Sequence, residues 1–187
     1  GLQIFGQKLE SAKDLVMLKP NIALIASPKG LYEIDFFIEE AREIFTSANG
    51  VEPKIHFTAP DNEYIIFSSA NTVYRYQPKD RTVDKIYTHS EEIVDLNTKN
   101  SVFFYLLSPS SLSVVDTLSE SVQILLDDLD NPFNLINFQN RLVITAETGL
   151  HIYDLSTGKR YYNIIKDEFN LSAYHISDKV LYLGSTT

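Results

Sequence analysis

The side chains able to carry chemistry in this chain are few and widely spaced. Four histidines stand at His56, His89, His151 and His175. A zinc centre needs three or four convergent ligands. No His-x-x-x-His spacing brings two of these together, so strand-surface or internally satisfied roles are expected and no metal. Asp127, Asp128 and Asp130, in DDLDN, resemble the start of a calcium loop. They lack the glycine and the distant glutamate of the twelve-residue pattern and read as a solvated loop. Glycoside chemistry needs two carboxylates about 5–9 Å apart, a distance that linear spacing does not fix. Neither a Gly-x-Ser-x-Gly elbow nor a phosphate loop occurs. The chain has no cysteine, which removes disulfides, thiolate ligands and thiol nucleophiles. That absence suits a cytosolic and an extracytoplasmic domain equally. No catalytic residue and no cofactor is expected.

The 187 residues are 44% hydrophobic and 22% charged, the balance of a domain with a real core. Apolar runs such as Tyr64–Phe67 and Val102–Leu107 fall well short of the roughly 20 residues that span a bilayer, so no membrane insertion is expected. The net charge of -9 repels phosphate backbones and favours a basic partner over nucleic acid. Of the eleven tyrosines, Tyr74, Tyr76, Tyr105 and Tyr153 fall on strand patterns, where packing is the expected role.

What positions these residues is a repeat. A turn residue, a branched apolar anchor and alternation ending near an Asp recur in GLYEID (30–35), TVYRYQ (72–77), SLSVVD (111–116) and GLHIYD (149–154), with GLQIFG (1–6) as a fifth copy. The anchors Leu2, Leu31, Val73, Leu112 and Leu150 lie 29, 42, 39 and 38 residues apart. A second strand precedes each anchor, at 22–26, 64–67, 102–106, 142–145 and 180–183. Before it come a turn residue (Asn21, Asn62, Asn100, Asn140, Asp178) and another strand, at 15–18, 55–58, 93–97, 133–137 and 172–176. A fourth strand follows at 42–45, 83–87, 122–126 and 161–165. Period-two alternation of Val, Ile, Tyr and Phe between Asn, Asp, Gly and Ser turns argues for strands throughout. FIEEAREIF (37–45) reads as a loop running into a strand.

Four short antiparallel strands per unit of about 40 residues mark the blade of a β-propeller. A step of 39 residues from Leu150 across joined ends lands on Leu2. The expected fold is all-β: a small propeller of five blades forming one domain over residues 1–187. The units are 12–50, 51–90, 91–130, 131–169, and 170–187 completed by 1–11. An open arc cut from a larger propeller and a β-sandwich are the rivals.

RLVITAETGLHIYDLSTG (141–158), and VLYLGSTT (180–187) joined to GLQIF (1–5), resemble two-component-regulator-type propeller repeats. The tryptophan usual in that family's second strand is replaced by Val143 and Tyr182. WD-repeat proteins are a more distant resemblance, without the Trp-Asp and Gly-His pairs. Both resemblances imply a binding platform. The expected function is a non-catalytic protein-interaction scaffold. The alternatives are a ligand-sensing extracytoplasmic receptor domain and, third, a small hydrolase or lyase. In a propeller the loops between blades and those joining second to third strands share one rim. Here that rim would carry His89, Glu91, Glu92, Asp127, Asp128, Asp130, Glu147, Asp167 and Glu168, eight acidic residues of nine, and would receive a basic segment of a protein partner.

Overall fold

The computed structural model describes residues 2–4, 7–9, 12, 14–98, 100–147, 149–163, 174–177 and 180–183. The chain divides into two compact units, Gly1–Glu92 and Ile93–Thr187. In the first unit β1 (Leu2–Ile4) and β2 (Gln7–Leu9) form a two-stranded antiparallel ribbon. One four-stranded sheet follows from β3 (Asp14–Lys19), β4 (Ile22–Ser27), β5 (Gly30–Asp35) and β6 (Glu40–Thr46). A second comprises β7 (Lys54–Thr58), β8 (Ile65–Ser69), β9 (Thr72–Gln77) and β10 (Thr82–Thr88). The second unit has a sheet of β11 (Asp95–Thr98), β12 (Phe103–Leu107), β13 (Leu112–Asp116) and β14 (Ser121–Leu126), and another of β15 (Pro132–Phe138), β16 (Arg141–Ala146), β17 (Gly149–Asp154) and β18 (Arg160–Asn163). A ribbon of β19 (Tyr174–Ser177) and β20 (Val180–Leu183) ends the described residues. Every four-stranded sheet is antiparallel with its strands in chain order, as the repeat predicts. The 37–45 stretch is a turn leading into β6. β11 starts at Asp95, two residues later than the pattern suggested.

The repeated residue types have local causes. In three of the sheets the Asp closing the third strand turns the chain into the fourth. Asp35 Oδ1 accepts the amides of Phe37 and Ile38, at 2.9 and 3.4 Å. Asp116 does the same for Leu118 and Ser119, and Asp154 for Ser156 and Thr157. These bonds favour the ionised form and hold all three carboxyls below the usual carboxylate range: the Phe37 amide acts most strongly at Asp35, the Ser119 hydroxyl at Asp116 and the Thr157 amide at Asp154. The Asn turns work in two ways. Asn62 and Asn140 take left-handed backbone angles, φ 54° and 62°. Asn100 instead accepts the Val102 and Phe103 amides on its side-chain oxygen, both at 2.8 Å.

Two sets of main-chain bonds mark the opposite ends of the sheets, and the β3–β6 and β11–β14 sheets carry both. The residue after the third strand bonds the turn between first and second strands, as Phe36 N to Asn21 O and Leu155 N to Asn140 O. At the other end, the segment after the fourth strand bonds the turn between second and third: Ser47 N to Lys29 O, His89 N to Asn71 O and Leu129 N to Ser110 O.

The anchors Leu31, Val73 and Leu112 are fully buried, which is why an apolar residue recurs there; Leu150 is half-buried. The second strands β4 and β8 are buried along nearly their whole length, so they read as continuous apolar runs rather than alternation. In the first unit Leu18, Leu24, Leu31, Ile65, Phe67 and Tyr76 pack together across both four-stranded sheets. In the second, Leu107, Leu112, Leu126, Leu135, Leu142 and Ile144 do the same. The outer strands β6, β10 and β14 each carry a register shift against the third strand, a bulge that bends the edge and blunts it against further pairing.

Candidate functional site

The loop after β14 gathers the densest set of the acidic residues singled out from sequence. Asp127, Asp128 and Asp130 are exposed, while Leu129 between them is buried at 7% exposure and anchors the loop in the core. The Leu129 amide is bonded to Ser110 O at 3.0 Å. Glu147, in the turn between β16 and β17, joins the same loop: its amide donates to Asn131 O at 3.2 Å, and its Oε2 accepts from Asn131 Nδ2 at 2.8 Å. Four carboxylates therefore stand on one end of the second unit, on backbone fixed at both sides. Asp128 is bound by Arg160, Nη1 to Oδ1 at 2.7 Å.

In the first unit the loop after β10 carries Glu91 and Glu92, both exposed. His89 is different. It is buried, its Nδ1 lies 3.3 Å from the Tyr87 hydroxyl, and its main chain makes two 2.8 Å bonds to Asn71. Burial lowers the His89 pKa against the opposing pull of Glu91. His89 thus anchors the loop and presents little surface, held by the Tyr87 side chain and the main-chain bonds to Asn71. Asp167 and Glu168 lie outside the described residues.

Two constellations were not visible in the sequence. The first surrounds His151, which is 3% exposed on β17. Arg160 Nη2 is 3.0 Å from His151 Nδ1, and the Tyr162 ring lies 4.5 Å away, centroid to centroid. Arginine has no acceptor, so Nδ1 accepts and the neutral ring carries its proton on Nε2. That Nε2 is buried and has no hydrogen-bond partner among the described residues. Burial and the Arg160 charge both push the His151 pKa down, against Asp128.

The second joins β5 to β9 in the first unit. Glu33 is 7% exposed; its Oε2 accepts from the Tyr76 hydroxyl at 2.7 Å and its Oε1 from Arg81 Nε at 3.1 Å. Burial, reinforced by Glu33, raises the Tyr76 pKa, so the phenol stays protonated and donates. Glu33 and Arg81 line a cleft of about 260 Å³ with Leu18, Lys19, Ile22, Asp61, Asn62, Pro78 and Lys79. The matching cleft of the second unit, about 530 Å³, is lined by Asn100, Phe103, Tyr105, Asn137, Asn140 and Leu155, without a charged group.

Other side chains have structural partners. His56 Nε2 is 2.8 Å from Ser68 Oγ. Tyr74 stacks on Phe67 and tilts against Phe45, and Tyr105 and Tyr153 pack on the core of the second unit. Among the described residues no group of three or more His, Asp or Glu side chains converges to hold a metal ion, and no helix is long and apolar enough to cross a membrane.

No family model and no curated protein matches this chain. Solved structures do. The extracellular domain of BT4673 from B. thetaiotaomicron, named as a one-component system, superposes with a TM-score of 0.69 at 16% identity, over 93% of this chain and 26% of that one. The nidogen/laminin complex gives 0.63 at 14% identity, over 84% of this chain and 64% of that one. The WD40 repeats of RRP9 give 0.63 at 10% identity, over 87% and 53%. The chain thus spans about a quarter to two thirds of the length of the structures it resembles. With their repeating four-stranded antiparallel sheets and these neighbours, the described residues form an all-β fold of the propeller type.

Proposed function

We propose that this chain is a non-catalytic protein-binding module whose acidic loops receive a basic segment of a partner. The observation that carries this reading is the fixed presentation of Asp127, Asp128, Asp130 and Glu147 in the second unit, through the Leu129–Ser110 and Glu147–Asn131 bonds. Charges on pre-ordered backbone bind without a further ordering cost. The intrachain pair of Asp128 with Arg160 supports the reading that a carboxylate of this loop can take a guanidinium. Glu91 and Glu92 offer a smaller acidic loop in the first unit.

The test is affinity capture from the source cell, then association kinetics of the captured partner with the parent and with a triple variant, Asp127→Lys, Asp130→Lys, Glu147→Lys. Rim charges act on encounter rate and its salt dependence. The variant is expected to associate about tenfold more slowly at low salt, with a flatter salt profile. Equal rates at low and high salt would rule out these loops as the contact.

A second reading is a ligand-sensing domain of an extracytoplasmic receptor. The likeness to the extracellular domain of BT4673, over 93% of this chain, favours it. A reading frame that places a transmembrane helix and a signalling region beside this domain would select it; a longer chain without either would not.

A further inference from the structure

The charged cleft of the first unit shares no residue with the acidic loops, and what it implies does not depend on them. The facing ends of β3 and β4, Glu33 of β5, the turn between β7 and β8 and the turn between β9 and β10 all contribute to its lining. Glu33 spends both carboxylate oxygens within the wall, on Tyr76 and Arg81, so its charge is matched before any ligand arrives. Lys19 and Lys79 then remain against Asp61. Both lysines are exposed, and among the described residues no ion pair includes either of them. In a chain of net charge -9, two such lysines and a buttressed arginine on one cleft run against the prevailing field.

The fold does not impose this charge, since the matching cleft of the second unit is lined by amides and aromatic rings. The wall is also held in an unusual backbone. Asp61 and Asn62 are successive left-handed residues, φ 55° and 54°, and Asn62 Nδ2 is tied to Leu18 O. Such conformations cluster at ligand clamps. Leu18, Ile22 and Pro78 add an apolar wall. The volume lies just below the range of about 300–1,000 Å³ typical of small-molecule sites, which restricts the occupant to a small one.

We propose that this cleft binds a small organic monoanion, a carboxylate on a short hydrocarbon body. The carboxylate is held by Lys19 and Lys79, with Arg81 kept in place by Glu33, and the hydrocarbon lies against Leu18, Ile22 and Pro78. One net positive charge matches a monoanion. Inorganic phosphate, a mixture of monoanion and dianion near neutral pH, exceeds that charge in its dianionic form and in either form has nothing to place on the apolar wall.

The experiment titrates the whole chain with hexanoate, benzoate, neutral hexanamide and inorganic phosphate at low ionic strength, by calorimetry and by amide NMR shifts. Hexanoate or benzoate is expected to bind saturably, at least about tenfold tighter than hexanamide and phosphate, and to shift the amides of residues 19–22, 61–62 and 79–81. The Lys19→Ala/Lys79→Ala variant is expected to melt like the parent and to lose about tenfold in carboxylate affinity, with Lys79→Gln alone losing part of it. Equal binding of hexanamide, phosphate binding as tightly as the carboxylates, undiminished binding by the double variant, or no saturable carboxylate binding up to about 10 mM would each overturn the proposal. The acidic-loop variant tested above leaves this cleft intact, so failure of one reading is separable from failure of the other.

Discussion

The Asp95 carboxylate accepts the Leu135 amide at 2.8 Å, tying the first strand of one sheet to the first strand of the next. The first unit repeats the device: Asp14 Oδ2 accepts the Ile55 amide at 3.0 Å. In each pair an aspartate opening a first strand supplies an acceptor to an amide of the next sheet's first strand. Asp95 also accepts its neighbour Leu96 N, at 2.9 Å, and is 7% exposed.

Removing that acceptor leaves the buried Leu135 amide without this bond. Asp95→Ala is therefore expected to lower stability by about 1–3 kcal/mol. Asp14→Ala should cost less, because Asp14 and Ile55 are only half-buried. Urea denaturation measures both. A loss below about 0.5 kcal/mol at Asp95 would mean that apolar packing alone holds these sheets together.

Gly30 has φ 148°, and Gly149 occupies the same place in its own sheet at 142°. A Cβ at Gly30 would collide with the Phe45 carbonyl and stand 3.2 Å from Ser47 N. Third and fourth strands approach too closely there for any side chain. Gly30→Ala is expected to cost more than the roughly 1 kcal/mol separating the two residues by propensity. Thermal melting of this variant within 2 °C of the parent, about what 0.5 kcal/mol gives, would contradict the reading.

His151 makes stability pH-dependent in a definite direction. Its folded pKa lies below the ordinary value of 6.5, by burial and then by Arg160. The unfolded state therefore binds more protons as pH falls through 6.5, and stability declines from there toward the folded pKa. His151→Phe keeps ring packing against Tyr162 and removes the titration. Its stability is expected to vary less between about pH 6.5 and 5 than the parent's, with a residual slope from His89, whose pKa burial also lowers. An unchanged slope in a His89→Phe/His151→Phe double variant would show that neither imidazole supplies the term.

The sequence by itself determined the strands and their turns, because the interactions that create them are short-range. Each third-strand Asp bonds amides two and three residues on, Asn100 does likewise, and Gly30 and Gly149 mark a close approach between adjacent strands. The buried anchors Leu31, Val73 and Leu112 were legible because a branched apolar residue recurs at the same place in each repeat. The loop positions of Asp127, Asp128, Asp130 and Glu147 followed from the same repeat. Only the tertiary structure decided which polar groups meet. Glu33 finds Tyr76 and Arg81 from 43 and 48 residues away, and Asp95 finds Leu135 from 40. It also turned His89 and His151 inward, though both read as ordinary strand or loop residues. A period-two pattern records which face of a strand is apolar; it does not record which turn of the next sheet stands opposite. Partner choice, burial and pKa depend on that stacking, and the charged cleft of the first unit exists only once strand residues of one sheet and turns of the next have been brought together.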